Sequence, residues 1–173
     1  MLISNQLIGE YTTKGHPLGN AITREEITFL ISNLRKRLQA EESDLNLSLE
    51  SLRNLEKGLA NYYLSLAGEN IELSQDDHIA LLRELIAYLG ETLVKSVDAK
   101  WDENSSNLSN AGVAIAGPWK IQKNNRRYVS QYPTIIVLAG QAAYLWNSVI
   151  SGKPSVLSQF IREVKTKSMK ERL

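Results

Sequence analysis

The chain has 173 residues, enough for one domain that buries roughly 70% of the surface its unfolded form exposes. Hydrophobic residues make up 43% and charged residues 23%, which is typical of a globular chain and not of a disordered or fibrous one. Twenty basic against nineteen acidic side chains leave a net charge of +1, which argues against a dedicated nucleic-acid binder but not against a local basic patch. The absence of cysteine excludes disulfides, thiol catalysis and cysteine-ligated metal sites.

The sequence shows no targeting or membrane-spanning signal. The start, "MLISNQLIGEYTTKG", lacks the basic stretch and apolar core of a signal peptide. The longest apolar stretch, "TIIVLAGQAAYLW", is shorter than the roughly 20 residues that cross a bilayer. We therefore expect a cytoplasmic protein without membrane contact.

Residues 1–22 predict an irregular N-terminal arm, since "GEYTTKGHPLGN" is rich in glycine and contains a proline. A helix is expected to begin at Thr23, because Glu26 three residues later completes a capping box. Apolar residues then recur at helical spacing, at Ile27, Leu30, Ile31, Leu34 and Leu38.

Two further helices follow. The second has Ser48 as its candidate cap and a leucine stripe ending at Tyr62 or Tyr63, and Gly68 is expected to close it in the left-handed conformation. The third should start at Ser74, with Asp76 and Asp77 in its first turn.

Gly90 lies inside the predicted third helix, where glycine costs roughly 1 kcal/mol relative to alanine. Its position beside the apolar stripe predicts that a neighbouring backbone packs closely there. The i+4 steps from Leu89 to Leu93 and Val97 favour a helix through about Lys95, although "ETLVKSV" alternates well enough to form a strand instead.

The next segment predicts short antiparallel strands. "AGVAIAGPWKIQ" is typical of extended chain, "KNNRR" of a turn and "YVSQY" of the returning strand. Pro133 is suited to the first position of a helix, while "TIIVL" alone would suit a strand, so residues 134–140 stay open and a helix is expected over at least 141–151. Gly152 should end that helix, and Pro154 should begin a last one.

These elements predict an α+β fold in which four to five helices pack on a small, two- to four-stranded antiparallel sheet. We expect a single domain over residues 23–167 and a frayed tail over 168–173.

Candidate chemical groups are sparse. His16 and His78 lack the spacing of a metal site, so both are interpreted as solvated, and no metal or other cofactor is predicted. "SGKPS" at 151–155 lacks the first glycine and the hydroxyl of a phosphate-binding loop. The paired carboxylates Glu25–Glu26, Glu41–Glu42 and Asp76–Asp77 suit helix starts or loops, and Glu91 is expected to pair with Lys95.

The strongest candidate surface is the predicted hairpin at 119–132, where cations alternate with aromatic residues. Such a pattern fits single-stranded nucleic acid or another anionic partner, and it also fits a solvated turn beside core aromatics. The residues of this possible anion or partner surface are Trp119, Lys120, Lys123, Arg126, Arg127, Tyr128 and Tyr132. Trp101, Trp119 and Trp146 are expected to pack where helices meet the sheet.

Over about residues 47–165, the order of parts resembles bacterial α+β domains of unknown function. In these, a central helix with an "AYLGE"-type stretch precedes a tryptophan strand and a proline-led helix. The likeness is carried by Ala87, Tyr88, Leu89, Gly90, Glu91, Trp101 and Pro133. All of these are packing residues, so the resemblance implies no catalytic residue; it implies a toxin-immunity or regulatory partner as one role for such domains.

The sequence therefore favours a non-enzymatic bacterial protein-interaction or regulatory module, immunity-like in character, whose partner is another protein. A nucleic-acid accessory protein that uses the hairpin is the second interpretation. An enzyme whose residues converge only in space is the third.

Overall fold

The computed structural model describes residues 22–97, 99–102, 111–115, 119–123, 126–130, 134–153, 157–162 and 164. The helices are α1 (Arg24–Leu38), α2 (Ser51–Gly68), α3 (Gln75–Val97) and α4 (Leu138–Ser151), and residues 157–162 and 164 are also helical. The strands are β1 (Ala99–Trp101), β2 (Gly112–Ile115), β3 (Trp119–Lys123), β4 (Arg126–Ser130) and β5 (Thr134–Val137). The predicted α+β fold is confirmed. Nearly all of the predicted arm and the whole of the predicted tail lie outside the described residues.

Helix α1 begins as its sequence predicts. The backbone N–H of Thr23 donates to Glu26 Oε2 over 2.9 Å, and the reciprocal bond completes the capping box. The buried residues of the helix are the five that share the predicted stripe: Ile27, Leu30, Ile31, Leu34 and Leu38. A single apolar face thus fixes α1 against the rest of the molecule.

Of the two predictions for the α2–α3 connection, the one for the end of α2 is wrong and the one for the start of α3 is confirmed. Gly68 was expected to close α2 in the left-handed conformation, and this prediction is wrong, because Gly68 is the last helical residue and Asn70 has the positive φ of 53°. Asparagine tolerates that conformation because its short polar side chain bonds locally. At the start of α3, the Asp77 backbone N–H donates to Ser74 Oγ over 3.2 Å, so Ser74 caps the helix as predicted.

Helix α3 continues through Gly90 to Val97, so the alternative strand over 91–97 does not form. The group that covers Gly90 is the indole ring of Trp101 and not the backbone that was predicted: a Cβ at Gly90 would overlap ring atoms of Trp101. Trp101 belongs to β1 and stacks back on the helix that precedes it. The missing side chain of Gly90 therefore makes room for one large aromatic ring.

Three strands form an antiparallel sheet in the order β1–β2–β5, and β3 and β4 form a separate two-stranded hairpin. Val113 of β2 is paired with Trp101 on one side and with Ile136 on the other. Residues 134–137, which the sequence left open, are strand, so the following helix begins at Leu138 and not at Pro133. The β-branched run "TIIV" satisfies its backbone by pairing with β2, which outweighs the helical suitability of Pro133.

Helix α3 lies at the centre of the core. It packs against α1, α4, β1 and β2, and its buried side chains include Leu81, Leu85, Ile86, Leu89 and Leu93. Helix α4 closes the other side and ends at Gly152, whose φ of 59° confirms the predicted stop. This arrangement leaves the second half of α2 facing α4.

Candidate interaction cleft between α2 and α4

The predicted partner surface falls on the hairpin of β3 and β4. The register pairs Lys123 with Arg126 and Ile121 with Tyr128, so the predicted hairpin forms. The side chains at positions 119–123 and 126–130 are outside what the structure describes, and so is the whole of Tyr132. The surface itself stays a prediction.

The two histidines have different outcomes. His16 lies outside the described residues, whereas His78 is only 9% exposed, so its interpretation as a solvated side chain is wrong. Its Nδ1 lies 3.0 Å from the Ser74 carbonyl oxygen. Because a carbonyl only accepts, Nδ1 carries the hydrogen of this bond. The capped first turn of α3 thus fixes the ring against the protein.

Two of the acidic side chains considered in the sequence analysis, Glu91 and Glu26, form structural hydrogen bonds. Glu91 accepts a hydrogen bond from Trp101 Nε1 over 3.2 Å, so its partner is the tryptophan and not the expected Lys95. Glu26 caps α1 and also accepts from Arg83 over 3.1 Å. The Thr23 backbone hydrogen bond, followed by the Arg83 charge, lowers the pKa of Glu26.

One buried acid was not singled out by the sequence. Glu84 accepts two hydrogen bonds from the guanidinium of Arg37, at 2.7 and 2.9 Å, and Arg37 also donates to Tyr62 Oη over 3.1 Å. The hydrogen bonds to Glu84 raise the pKa of Arg37 above its ordinary value. This group ties α1, α2 and α3 together.

A cleft of about 440 Å³ opens between α2 and α4, and the α2–α3 connection forms its third wall. Among the described residues, seven apolar or aromatic and three polar side chains line it: Tyr63, Leu66, Ala67, Asn70, Ile71, Glu72, Leu73, His78, Trp146 and Ile150. A volume of this size lies within the range of ligand-binding clefts. The cleft is therefore the candidate site.

Aromatic rings form the floor of the cleft. Trp146 is 1% exposed and meets Tyr63 edge to face, with ring centroids 6.2 Å apart and an interplanar angle of 88°. Tyr62 contacts the same indole at 6.2 Å with a tilt of 40°. Within the described chain, Trp146 Nε1 is buried without a hydrogen-bond partner. Trp146 thus packs between two helices, whereas the sequence placed it at a helix–sheet junction; Trp101 does pack at such a junction.

The segment 69–77, which forms the third wall of the cleft and which we call its rim, is acidic. Glu72 lines the cleft, Glu69 follows the last turn of α2, and Asp76 and Asp77 occupy the first turn of α3. The Ser74 hydroxyl and backbone N–H donate to Asp77, which lowers the pKa of Asp77. No residue from 58 to 82 is Lys or Arg, and α4 has no charged residue.

Sequence reasoning missed this site because it weighed charge over the whole chain. A count over shorter windows would have found the stretch without basic residues. The pairing of Tyr63 with Trp146 joins positions far apart in the sequence, and no local pattern indicates it.

Comparisons with known proteins give no relative. No family model matches the chain, and neither the curated proteins nor the solved structures contain a match. Across the described ranges, no helix is long and apolar enough to span a membrane. In the same part of the chain, no group of three or more His, Cys, Asp and Glu side chains could hold a metal ion.

Proposed function

We propose that this chain is a protein-interaction or regulatory module that binds a segment of a partner protein in the cleft between α2 and α4. The partner segment would place bulky apolar side chains on the floor formed by Tyr63 and Trp146. Binding of this kind acts by occupying or holding the partner and needs no chemical step.

The observation that carries the proposal is the exposed apolar surface at the cleft. Ile71 lines the cleft and is 48% exposed, and Leu66 and Leu73 line it as half-buried side chains. Large apolar side chains that stay open to water beside an aromatic floor are typical of surfaces that a partner covers.

The walls of the cleft are held in place before any partner arrives. Trp146 of α4 is fixed between Tyr62 and Tyr63 of α2, and His78 is fixed by the Ser74 carbonyl. A preformed site loses less conformational entropy on binding, which favours specific binding of one partner over nonspecific association.

Site-specific photocrosslinking in cells that make the protein tests the proposal. A photoreactive side chain at Ala67 would face the cleft, and the same group at Asn61, exposed on the opposite side of α2, is the matched control. We expect one protein adduct of defined mass from position 67 and none from position 61.

Two variants check that the adduct arises from the cleft. Leu66→Glu places a charge in the apolar lining and should abolish the adduct, while Asn61→Glu should leave it unchanged. An equal yield from both crosslinking positions, or no protein adduct at position 67, would contradict the proposal.

A further inference from the structure

We infer that the segment bound in the cleft is cationic: a bulky apolar anchor flanked by Lys or Arg. This inference rests on the proposed function and specifies the chemistry of the partner. It follows from the charges around the cleft and from the hydrogen-bonding groups in its walls.

The charge near the cleft is opposite to that of the chain as a whole. The chain has a net charge of +1, whereas residues 58–82 carry four carboxylates, Glu69, Glu72, Asp76 and Asp77, and no Lys or Arg. Charges of like sign this close in sequence add their fields within the screening length of about 8 Å at physiological salt. The rim therefore attracts cations although the whole protein does not.

Three of these carboxylates are available to a partner. Glu69, Glu72 and Asp76 are exposed, and within the described residues none of them forms an ion pair or a side-chain hydrogen bond. Asp77 differs, because it accepts hydrogen bonds from Ser74.

In the described part of the chain, Arg37 and Lys153 do not neutralise the rim. Arg37, the cation that acts on Asp77, is held by both carboxylate oxygens of Glu84. Lys153 is exposed just beyond α4 and lies three residues after Ile150. Among the described residues, one lysine against three open carboxylates leaves an acidic excess.

A polar group of the wall also suits a donor, because the Glu72 carboxylate only accepts hydrogen bonds. Lys and Arg offer several N–H donors and no acceptor. The anchor supplies apolar contact with Tyr63 and Trp146, and the flanking cations supply selectivity.

Selection from a random peptide library displayed on phage, with the full chain as the target, tests the inference. Peptides that bind the wild type are counter-screened against Ala67→Trp, which fills the cleft, and against Asn61→Trp as the matched control. We expect cleft-dependent peptides to carry an aromatic or large aliphatic residue with Lys or Arg within three positions on either side.

Neutralising the rim then measures the charge effect. The triple variant Glu69→Gln/Glu72→Gln/Asp76→Asn should weaken binding of a selected peptide about tenfold, because three exposed ion pairs are each weak. Glu25→Gln/Glu41→Gln/Glu50→Gln makes the same change in net charge at exposed positions away from the cleft and should change binding less than twofold.

The possible results separate the two proposals. Cleft-dependent peptides with neutral or acidic flanks would overturn the cationic partner and leave the interaction module standing. Peptides that bind Ala67→Trp as well as the wild type, or no enrichment over the unselected library, would overturn the proposed function as well.

Discussion

At Gly90, helix propensity and side-chain packing have opposite effects on stability. In a helix interior, replacing glycine by alanine stabilises by up to about 1 kcal/mol. At Gly90 the added methyl group would overlap the Trp101 ring, which is itself fixed by the hydrogen bond from its Nε1 to Glu91. Overlap with a fixed ring outweighs the helix preference, so the sign of the effect should reverse.

We therefore expect Gly90→Ala to lower the free energy of unfolding by about 1–3 kcal/mol, the usual effect of overpacking. Gly140→Ala is the control, because Gly140 is also in a helix and a Cβ there would meet no atom within 4 Å. It should be neutral or stabilising. Urea unfolding of both variants measures the difference, and stabilisation by Gly90→Ala would refute the role given to Trp101.

Tyr88 forms the middle of a buried hydrogen-bond chain. Its hydroxyl lies 2.6 Å from Ser51 Oγ and accepts from the Leu47 backbone N–H at 3.4 Å, while Ser51 Oγ donates to the Ser48 carbonyl over 2.7 Å. The direction of the last bond makes Tyr88 the donor to Ser51. Burial raises the pKa of Tyr88 above its ordinary value of 10.0.

Tyr88→Phe should lower the free energy of unfolding by about 1–2 kcal/mol at neutral pH, because Leu47 loses a buried acceptor. The raised pKa adds a pH dependence: above about pH 10 the unfolded chain gives up the tyrosine proton first, so stability falls as pH rises. The fall contributed by Tyr88 is at most about 1.4 kcal/mol per pH unit. Denaturant unfolding between pH 8 and 11 should show a shallower decline in Tyr88→Phe, and parallel curves would contradict this origin.

At the scale of elements, helices α1, α2 and α3 are joined by Arg37, Glu84 and Tyr62. The Glu84 side chain is only 4% exposed, so removing its partner leaves a carboxylate with little water. The Arg35–Glu42 pair is the natural comparison, since its atoms are 3.7 Å apart and the Glu42 side chain is 84% exposed.

We expect Arg37→Met to destabilise by about 3 kcal/mol or more, as unpaired buried charges do. The double variant Arg37→Met/Glu84→Met should lose less than the sum of the single variants, because it removes both charges together. Glu42→Gln should stay within about 0.5 kcal/mol of the wild type. A double-mutant cycle by chemical unfolding measures these terms, and additive losses would show that the two side chains do not act as a pair.

The sequence predicted the elements that depend on local signals. The capping box at Thr23, the helix start at Ser74 and the stripe of α1 follow from residues within four positions of each other. The strand Thr134–Val137 could not be separated from a helix start, because its partner β2 lies about twenty residues earlier. The cleft was missed for the same reason: Tyr63 and Trp146 meet only after α2 and α4 have packed.

At the scale of the molecule, α3 contacts both the helical layer and the sheet. Leu85 is fully buried near its middle, and α1, β1 and β2 all pack on this helix. A core organised around a single helix should unfold as one unit, since neither layer keeps its apolar face covered without α3.

Leu85→Ala should therefore cost about 2–5 kcal/mol, the usual range for a leucine truncated in a core. The loss should appear equally in amides of α1 and of β2 when hydrogen exchange is followed by mass spectrometry. Leu64→Ala, at a side chain that is 65% exposed, is the control and should change neither the free energy of unfolding nor the amide exchange rates. Faster exchange in α1 alone would show that the sheet folds separately.

The stretch from 58 to 82 gives this nearly neutral protein an asymmetric charge distribution. Just below its isoelectric point of about 7.9 the chain bears a slight positive charge, yet residues 58–82 contain four carboxylates and no Lys or Arg. An anion-exchange resin at low ionic strength should therefore retain it by that stretch at pH 7, against the expectation from net charge. The same charge asymmetry orients the cleft toward positively charged surfaces before contact. Added salt should therefore lower the association rate constant of a cationic partner more than it raises the dissociation rate constant.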